Sequence, residues 1–356
     1  MSDAWRPACR LALGVALAML TILTLKFPHL FRAMLAVSLL ANLPTFRRST
    51  MRQRLILVWV AGAMGSAVEA LFLDAPWLYV PAYMLLIFAT MALASRSRDS
   101  ATMTLLVYGL SGSLISGKIA DSAPIMGGFY RTLAVTIGIF AAAAAFYIIP
   151  LRKGFRPQLP EPVNFRSRET FFLGFVGVFC LVLGHTLVTD NRIFVIMGGL
   201  PWAIQLLSAP FSVLRVRLIG AVLGTLIAIF TLSVLSASTN NVAIYVTVIS
   251  LIMGTIGYLG YTFPLLKPGC AQFAVSFMLP AGMLPGPTLN FHLLFSIVES
   301  MWLGIIIASL LYFLHEWLLR IEKTVEDSGR EDNGYSSSHS GSCDSSAGSN
   351  SLCRRP

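Results

Sequence analysis

A chain of 356 residues that is 56% hydrophobic and 12% charged falls outside the soluble globular class, which averages about 25% charged residues. Its 26 Lys and Arg against 16 Asp and Glu give a formal charge of +10, but the basic residues are scattered through short connections and build no continuous basic face, which excludes a nucleic-acid partner. The class that fits is an all-α polytopic membrane protein with the lipid bilayer as its immediate partner.

Apolar segments of roughly 17 to 25 residues, the length that crosses a bilayer, are predicted in chain order at 9 to 25, 28 to 45, 55 to 73, 77 to 95, 101 to 118, 130 to 150, 171 to 189, 192 to 209, 217 to 236, 240 to 262, 268 to 285 and 291 to 319. The first follows Arg6 and Arg10 as a signal peptide would. It leads, however, into Lys26-Phe27-Pro28-His29 and another span rather than a small-x-small cleavage site, and is read as a retained helix. The spans opening at Pro28 and Arg192 carry Gly, Pro or charge near their ends, as broken or tilted helices do. Gln205 after Pro201-Trp202, Gln272 after Pro268-Gly269, and the stretch from Pro280 to Pro287 mark further places where a helix can break and show its backbone to a substrate.

The third span opens with Arg52-Gln53-Arg54-Leu55, and Arg215-Val216-Arg217-Leu218 opens the third span after the longest connection. That connection, Leu151 to Thr170, holds Pro157, Pro160 and Pro162 and reads as a semi-rigid linker. An even number of spans precedes it, so both halves enter the membrane in the same orientation. The expected architecture is therefore about twelve transmembrane helices in two parallel six-helix repeats, 1–150 and 171–325, joined by the linker 151–170. Residues 326–356 are rich in Ser, Gly, Asp and Asn and are expected to form a disordered tail.

Basic residues alternate strongly between connections. One set holds Arg47, Arg48, Arg52, Arg54, Arg96, Arg98, Arg152, Lys153, Arg156, Arg166, Arg168, Arg215, Arg217 and Lys267; the other holds only Lys26, Arg32, Lys118, Arg131 and Arg192. The positive-inside rule then puts both termini in the cytoplasm. Arg54 and Arg217, at the cytoplasmic edge, are read as lipid-phosphate anchors, with anion capture as the alternative.

Glu69, near the outer end of the third span, and Glu299, about eight residues into the last, are the acidic residues clearly inside spans. A carboxylate at that depth must be paired, reach water or take up a proton, so each is a candidate for proton coupling; the alternative for Glu69 is a pair with Arg131 or Lys118. Lys26, His29, Arg32, Arg131 and Arg192 cluster near the outer ends and are candidates for attracting a substrate anion between the halves, or else lipid-headgroup anchors. Gly220 and Gly224 lie one turn apart and form a GxxxG packing face. His185 is a lone titratable group near the end of its span, and Trp77, Tyr79, Trp202, Trp302 and Trp317 fit interfacial belts, Trp202 being the one placed nearest a cavity.

Five cysteines, Cys9, Cys180, Cys270, Cys343 and Cys353, show no CxxC or Cys/His spacing, so neither a metal site nor a disulfide framework is expected. No P-loop, HExxH or GxSxG is present, which argues against an ATP-driven pump and against an enzyme, and no cofactor is implied.

The short spans, the basic RxR opening of the third span, and Arg217-Leu218-Ile219-Gly220 followed by Gly224-Thr225 resemble the fusaric acid resistance and aromatic acid exporter family of bacterial inner-membrane proteins. The resemblance covers Leu11 to about Arg320 and carries over to Arg217, Gly220, Gly224 and Thr225, with Arg54 and Gly62 as weaker counterparts. Family members typically have six spans per half and sizeable cytoplasmic domains after each half; this chain resembles a minimal form without those domains. The resemblance implies an inner-membrane exporter of small organic anions such as aromatic acids, or of drugs, driven by the proton gradient and sometimes working beside a periplasmic adaptor protein. A scaffold subunit of a multi-component efflux system, or a small-solute channel, is the alternative, and a homo-oligomer is compatible with either.

Overall fold

The computed structural model describes residues 5–27, 30–41, 48–72, 75–96, 124–150, 167–187, 192–208, 211–238, 241–282 and 291–335. Eleven α-helices occur among them: α1 (Trp5–Thr24), α2 (Leu30–Ala41), α3 (Arg48–Phe72), α4 (Pro76–Arg96), α5 (Pro124–Ile148), α6 (Ser167–Leu187), α7 (Arg192–Ser208), α8 (Phe211–Ser238), α9 (Val242–Thr262), α10 (Lys267–Ala281) and α11 (Phe291–Tyr335), with a single 3₁₀ turn at Pro264–Leu266. They coincide with eleven of the predicted spans; the span expected at 101 to 118 lies outside the described residues. Seven of them, α1, α3, α5, α6, α8, α9 and α11, are long and apolar enough to cross a membrane, and the chain is a multi-pass membrane protein.

The helix boundaries follow from local chemistry. Pro7 is tolerated in the first turn of α1, where its missing N–H costs nothing. The same helix ends in a Schellman motif: the Phe27 N–H donates to the Ile22 carbonyl at 3.0 Å, the Lys26 N–H to Leu23 at 3.2 Å, and Lys26 takes φ 53°. Asn241 caps α9 by accepting from the Ala243 N–H at 2.9 Å.

The chain divides into two compact units, Met1–Leu311 and Tyr312–Pro356, with the boundary inside α11. In the second unit the helix continues to Tyr335, past the tail boundary expected at 326. The run from Glu326 to Arg330 lacks apolar residues but holds no proline to stop the helix.

The first unit is organised around short helices. α2 has 12 residues and α10 has 15, about 18 and 22 Å long at 1.5 Å per residue, against a hydrocarbon layer of about 30 Å. α2 is almost entirely buried, as are α7 from Phe194 to Ile204 and α10 from Gln272 to Ala281. The C-terminus of α10 meets the N-terminus of α2: the Phe31 N–H donates to the Gly282 carbonyl at 3.2 Å, and the Tyr245 hydroxyl of α9 donates to the Ala281 carbonyl. Two carbonyls of a helix that stops in the interior are thereby satisfied, which a lipid-surrounded chain requires. Gly282 is needed at this junction, because a Cβ there would strike the Phe31 backbone.

Around these helices α1 packs on α2, α5 and α9, while α6 packs on α7 and α4. α3 packs on α4 and α5, and α10 on α8, α9 and α2. Gly14 of α1 faces Val37 of α2, and Gly177 of α6 faces Leu200 of α7. Phe31 and Phe194 bring the starts of α2 and α7 together, ring centroids 6.0 Å apart.

Candidate functional site

Charge is buried where α3, α4, α5 and the start of α2 converge. Glu69 of α3 is 1% exposed, Arg131 of α5 is 4% and Arg32 of α2 is 1%. Glu69 Oε2 lies 3.8 Å from Arg131 Nη1. Arg32 and Arg131 are electrostatic neighbours, with Tyr83 of α4 beside both and Tyr79 beside Arg131. Both tyrosines are buried, and their rings contact each other at 5.7 Å.

The backbone explains why these groups meet. α3 and α5 cross on small residues one turn apart, Gly62 with Ser66 and Gly128 with Thr132, and a Cβ on Gly62 would strike Thr132 as one on Gly128 would strike Ser66. The Ser66 and Thr132 hydroxyls donate to the Gly62 and Gly128 carbonyls of their own helices at 2.8 and 2.9 Å, so the crossing is closed without exposed polar groups. Glu69 and Arg131 sit at its end. Beside it runs a groove of about 280 Å³, lined by these small residues with Trp59, Ala63, Ala67 and Phe129.

Arg32 occupies the first turn of α2, where a cation opposes the positive end of the helix dipole. Its guanidinium lies 5.2 Å from the Phe31 ring centre. Among the described residues the cluster therefore holds two guanidiniums and one carboxylate, all buried, beside a helix N-terminus.

The structure brings together Glu69, Arg32 and Arg131 from the sequence-derived candidates. Lys26 is exposed and its backbone closes α1; Arg192 is the first residue of α7, with its side chain outside the description; His29 and Lys118 lie outside the described residues. Glu299 is exposed on α11. Gly220 and Gly224 do pack: a Cβ on either would meet the α10 backbone, at Gly269 and Phe273 respectively. Arg217 Nη1 donates to the Gln205 carbonyl at 3.4 Å in the last turn of α7. Arg6 and Arg10 do the same for the end of α5, donating to Pro150 at 3.3 Å and Ile149 at 2.6 Å. Trp202 is buried, its Nε1–H donating to Ser309 Oγ at 3.0 Å.

Sequence reasoning missed Tyr79 and Tyr83. Their i, i+4 spacing puts them on one face of α4, a signal that was available in the chain. Tyr79 was assigned to an interfacial belt, which fits Trp77, 74% exposed, and not the buried Tyr79. A second buried polar stripe lies on α10, where Gln272 Oε1 and Ser276 Oγ have no hydrogen-bond partner among the described residues.

A family model described as a protein of unknown function (DUF2955) matches residues 7–146, so α1 to α5, including Arg32, Glu69 and Arg131, are similar to that family. No curated protein and no solved structure matches the chain.

Proposed function

We propose that this chain is an inner-membrane secondary transporter that exports small organic acids as anions, energised by the proton-motive force, with both termini in the cytoplasm. The observation that carries the proposal is the burial of three ionisable side chains, Arg32, Arg131 and Glu69, in one cluster. Charge at such depth is costly and marks an ion or substrate site more often than a structural one. Glu69 is the group through which protons reach the site, since its protonation removes the carboxylate that faces Arg131.

The architecture supports this reading. Short buried helices meeting end to end are the discontinuous elements that transporters place around substrate. One fixed offset along the chain takes Gly14 to Gly177, Phe31 to Phe194, Val37 to Leu200 and Arg54 to Arg217. The Gly14–Val37 and Gly177–Leu200 contacts are related by it, and Phe31 touches its own counterpart, as residues on a two-fold axis do. The first helix of each half packs on the fourth of the other, α1 on α9 and α6 on α4. Parallel repeats about an axis normal to the membrane account for all of these, and the resemblance to aromatic acid exporters supplies the direction. An anion leaving a negative interior gains about 2.3 kcal/mol per 100 mV.

A deletion strain challenged with a panel of aromatic acids and drugs tests the proposal. Deletion should sensitise cells to organic acids, and the wild-type chain should restore growth where a doubly substituted Glu69→Leu/Arg131→Leu chain, inserted to the same level, does not. Complementation by that double variant would refute the site, and a panel with no acid-sensitive phenotype would refute the transporter.

A further inference from the structure

Independently of transport, we infer that one end of the bundle, where α1 begins, α5 and α9 stop and α10 starts, is a site for one anionic phospholipid. Its phosphate meets Arg6 and Lys267 at the surface, above the buried Arg10. Printed contacts tie these ends together: Arg6 and Arg10, one turn apart on α1, donate to the carbonyls just past α5, and Gly257 of α9 lies against Ala8. Tyr261, in the last turn of α9, is an electrostatic neighbour of Arg10, as Arg6 is. The Lys267 ammonium stands 5.9 Å from the centre of the Tyr261 ring. Among the described residues no Asp or Glu pairs with Arg6, Arg10 or Lys267. Arg10 is 1% exposed and held in place, with Nε on the Ile149 carbonyl and the guanidinium 4.5 Å from the Phe146 ring centre, while its Nη2 has no hydrogen-bond partner among the described residues. The four helix ends, two of each sign, cancel to first order. The three side chains therefore set the charge, and low-dielectric surroundings project the field of Arg10 toward half-buried Arg6 and exposed Lys267.

The surface around these cations is apolar, which makes the occupant a lipid rather than a soluble anion. Phe263, Leu265 and Leu266, on the turn between α9 and α10, are exposed, and so are Tyr147 and Ile148 at the end of α5. In a spanning bundle such side chains face hydrocarbon, and the helix ends mark the level at which the headgroups begin. A soluble anion would use the cations alone. A phospholipid uses both features, its phosphate at the helix ends and its chains along the apolar rim. A zwitterionic headgroup would bring a second cation to a patch with no carboxylate to receive it, so the charge selects an anionic lipid. On the proposed orientation this is the cytoplasmic side, where basic pockets between spanning helices take acidic headgroups.

Native mass spectrometry of the full chain in maltoside micelles, titrated with phosphatidylglycerol or phosphatidylcholine of identical chains, reads the binding. One phosphatidylglycerol per chain should bind at least about tenfold more tightly than phosphatidylcholine, since each basic residue near an acidic headgroup contributes about fivefold. Arg6→Gln and Lys267→Gln should each lower that affinity about fivefold. Arg52→Gln, at an exposed arginine near the start of α3, should change it less than about twofold if one site rather than general surface charge holds the lipid. Inorganic phosphate at a concentration equal to the lipid's should not displace it, having no chains to lie on the apolar rim. Equal affinity for the two lipids, displacement by that phosphate, or a loss in Arg52→Gln as large as in Arg6→Gln and Lys267→Gln overturns the site and leaves the transporter reading standing. The comparison of the two lipids on the wild-type chain decides the matter even if a variant does not fold.

Discussion

Replacing the Glu69–Arg131 pair one residue at a time and then together separates charge logic from packing. Both groups are almost fully buried, and removing one partner of such a pair costs about 3–5 kcal/mol through the charge left behind. The two single substitutions should differ. Glu69→Leu leaves two neighbouring guanidiniums and belongs near the upper end, about 5 kcal/mol; Arg131→Leu relieves the repulsion between Arg131 and Arg32 and belongs near the lower end, about 3 kcal/mol. The double Glu69→Leu/Arg131→Leu restores the native net charge and copies the leucine contact that α8 and α11 make through Leu232 and Leu294. It should lie within about 1 kcal/mol of wild type, because well-packed apolar residues commonly replace a buried pair at no loss. Reversible unfolding in mixed micelles, followed by helicity, gives all three values in one double-mutant cycle. A double variant as unstable as the two singles combined, or Arg131→Leu costing more than Glu69→Leu, would refute the charge accounting.

Four further outcomes are expected from the same preparation. Gly224→Leu should sharply reduce the monodisperse fraction after solubilisation, because its Cβ would lie 2.6 Å from the Phe273 carbonyl oxygen of α10 and overpacking costs about 1–3 kcal/mol or more. Lys26→Gly should stabilise by about 1 kcal/mol, since Lys26 holds φ 53° at the end of α1 and glycine adopts that region without strain. Glu299→Gln should shift unfolding by less than about 0.5 kcal/mol in micelles, as its carboxylate is exposed. Trp202→Phe should cost about 1 kcal/mol or more, the worth of the hydrogen bond to Ser309.

Helix positions were legible in the chain because apolar runs between basic connections report membrane-spanning length directly, and the GxxxG face of α8 was legible because close helix approach has a fixed spacing. Depth within the bundle was not. Nothing in the composition distinguishes Arg32, buried at the start of α2, from exposed Lys26 a few residues before it, or buried Glu69 from exposed Glu299. Burial is decided by which helices surround a position, and that is a tertiary fact. The interior partners of two further arginines were hidden for the same reason. Arg217 and Arg10 bind carbonyls at the ends of α7 and α5, partners that no spacing along the chain announces.

On the proposed repeat, function lies where the two halves differ. Packing is shared by the halves: the α1–α2 and α6–α7 contacts correspond, and Phe31 and Phe194 face each other across the junction. Shared contacts of this kind stabilise a bundle whichever half they occur in. The buried charge is not shared, for the α3–α5 crossing ends in Glu69 and Arg131 where α8 and α11 meet in leucine. On the proposed function, the polar crossing of the first half is the anion site. It follows that introducing the pair into the second half, Leu232→Glu with Leu294→Arg, should add an ion pair there without a second cation. No counterpart of Arg32 stands there, since the fixed offset places Val195 at its position. The grafted pair would then be neutral and bind no anion, so the number of benzenesulfonate molecules bound per chain should remain one; a rise to two would show that the ion pair alone, without Arg32, makes the site.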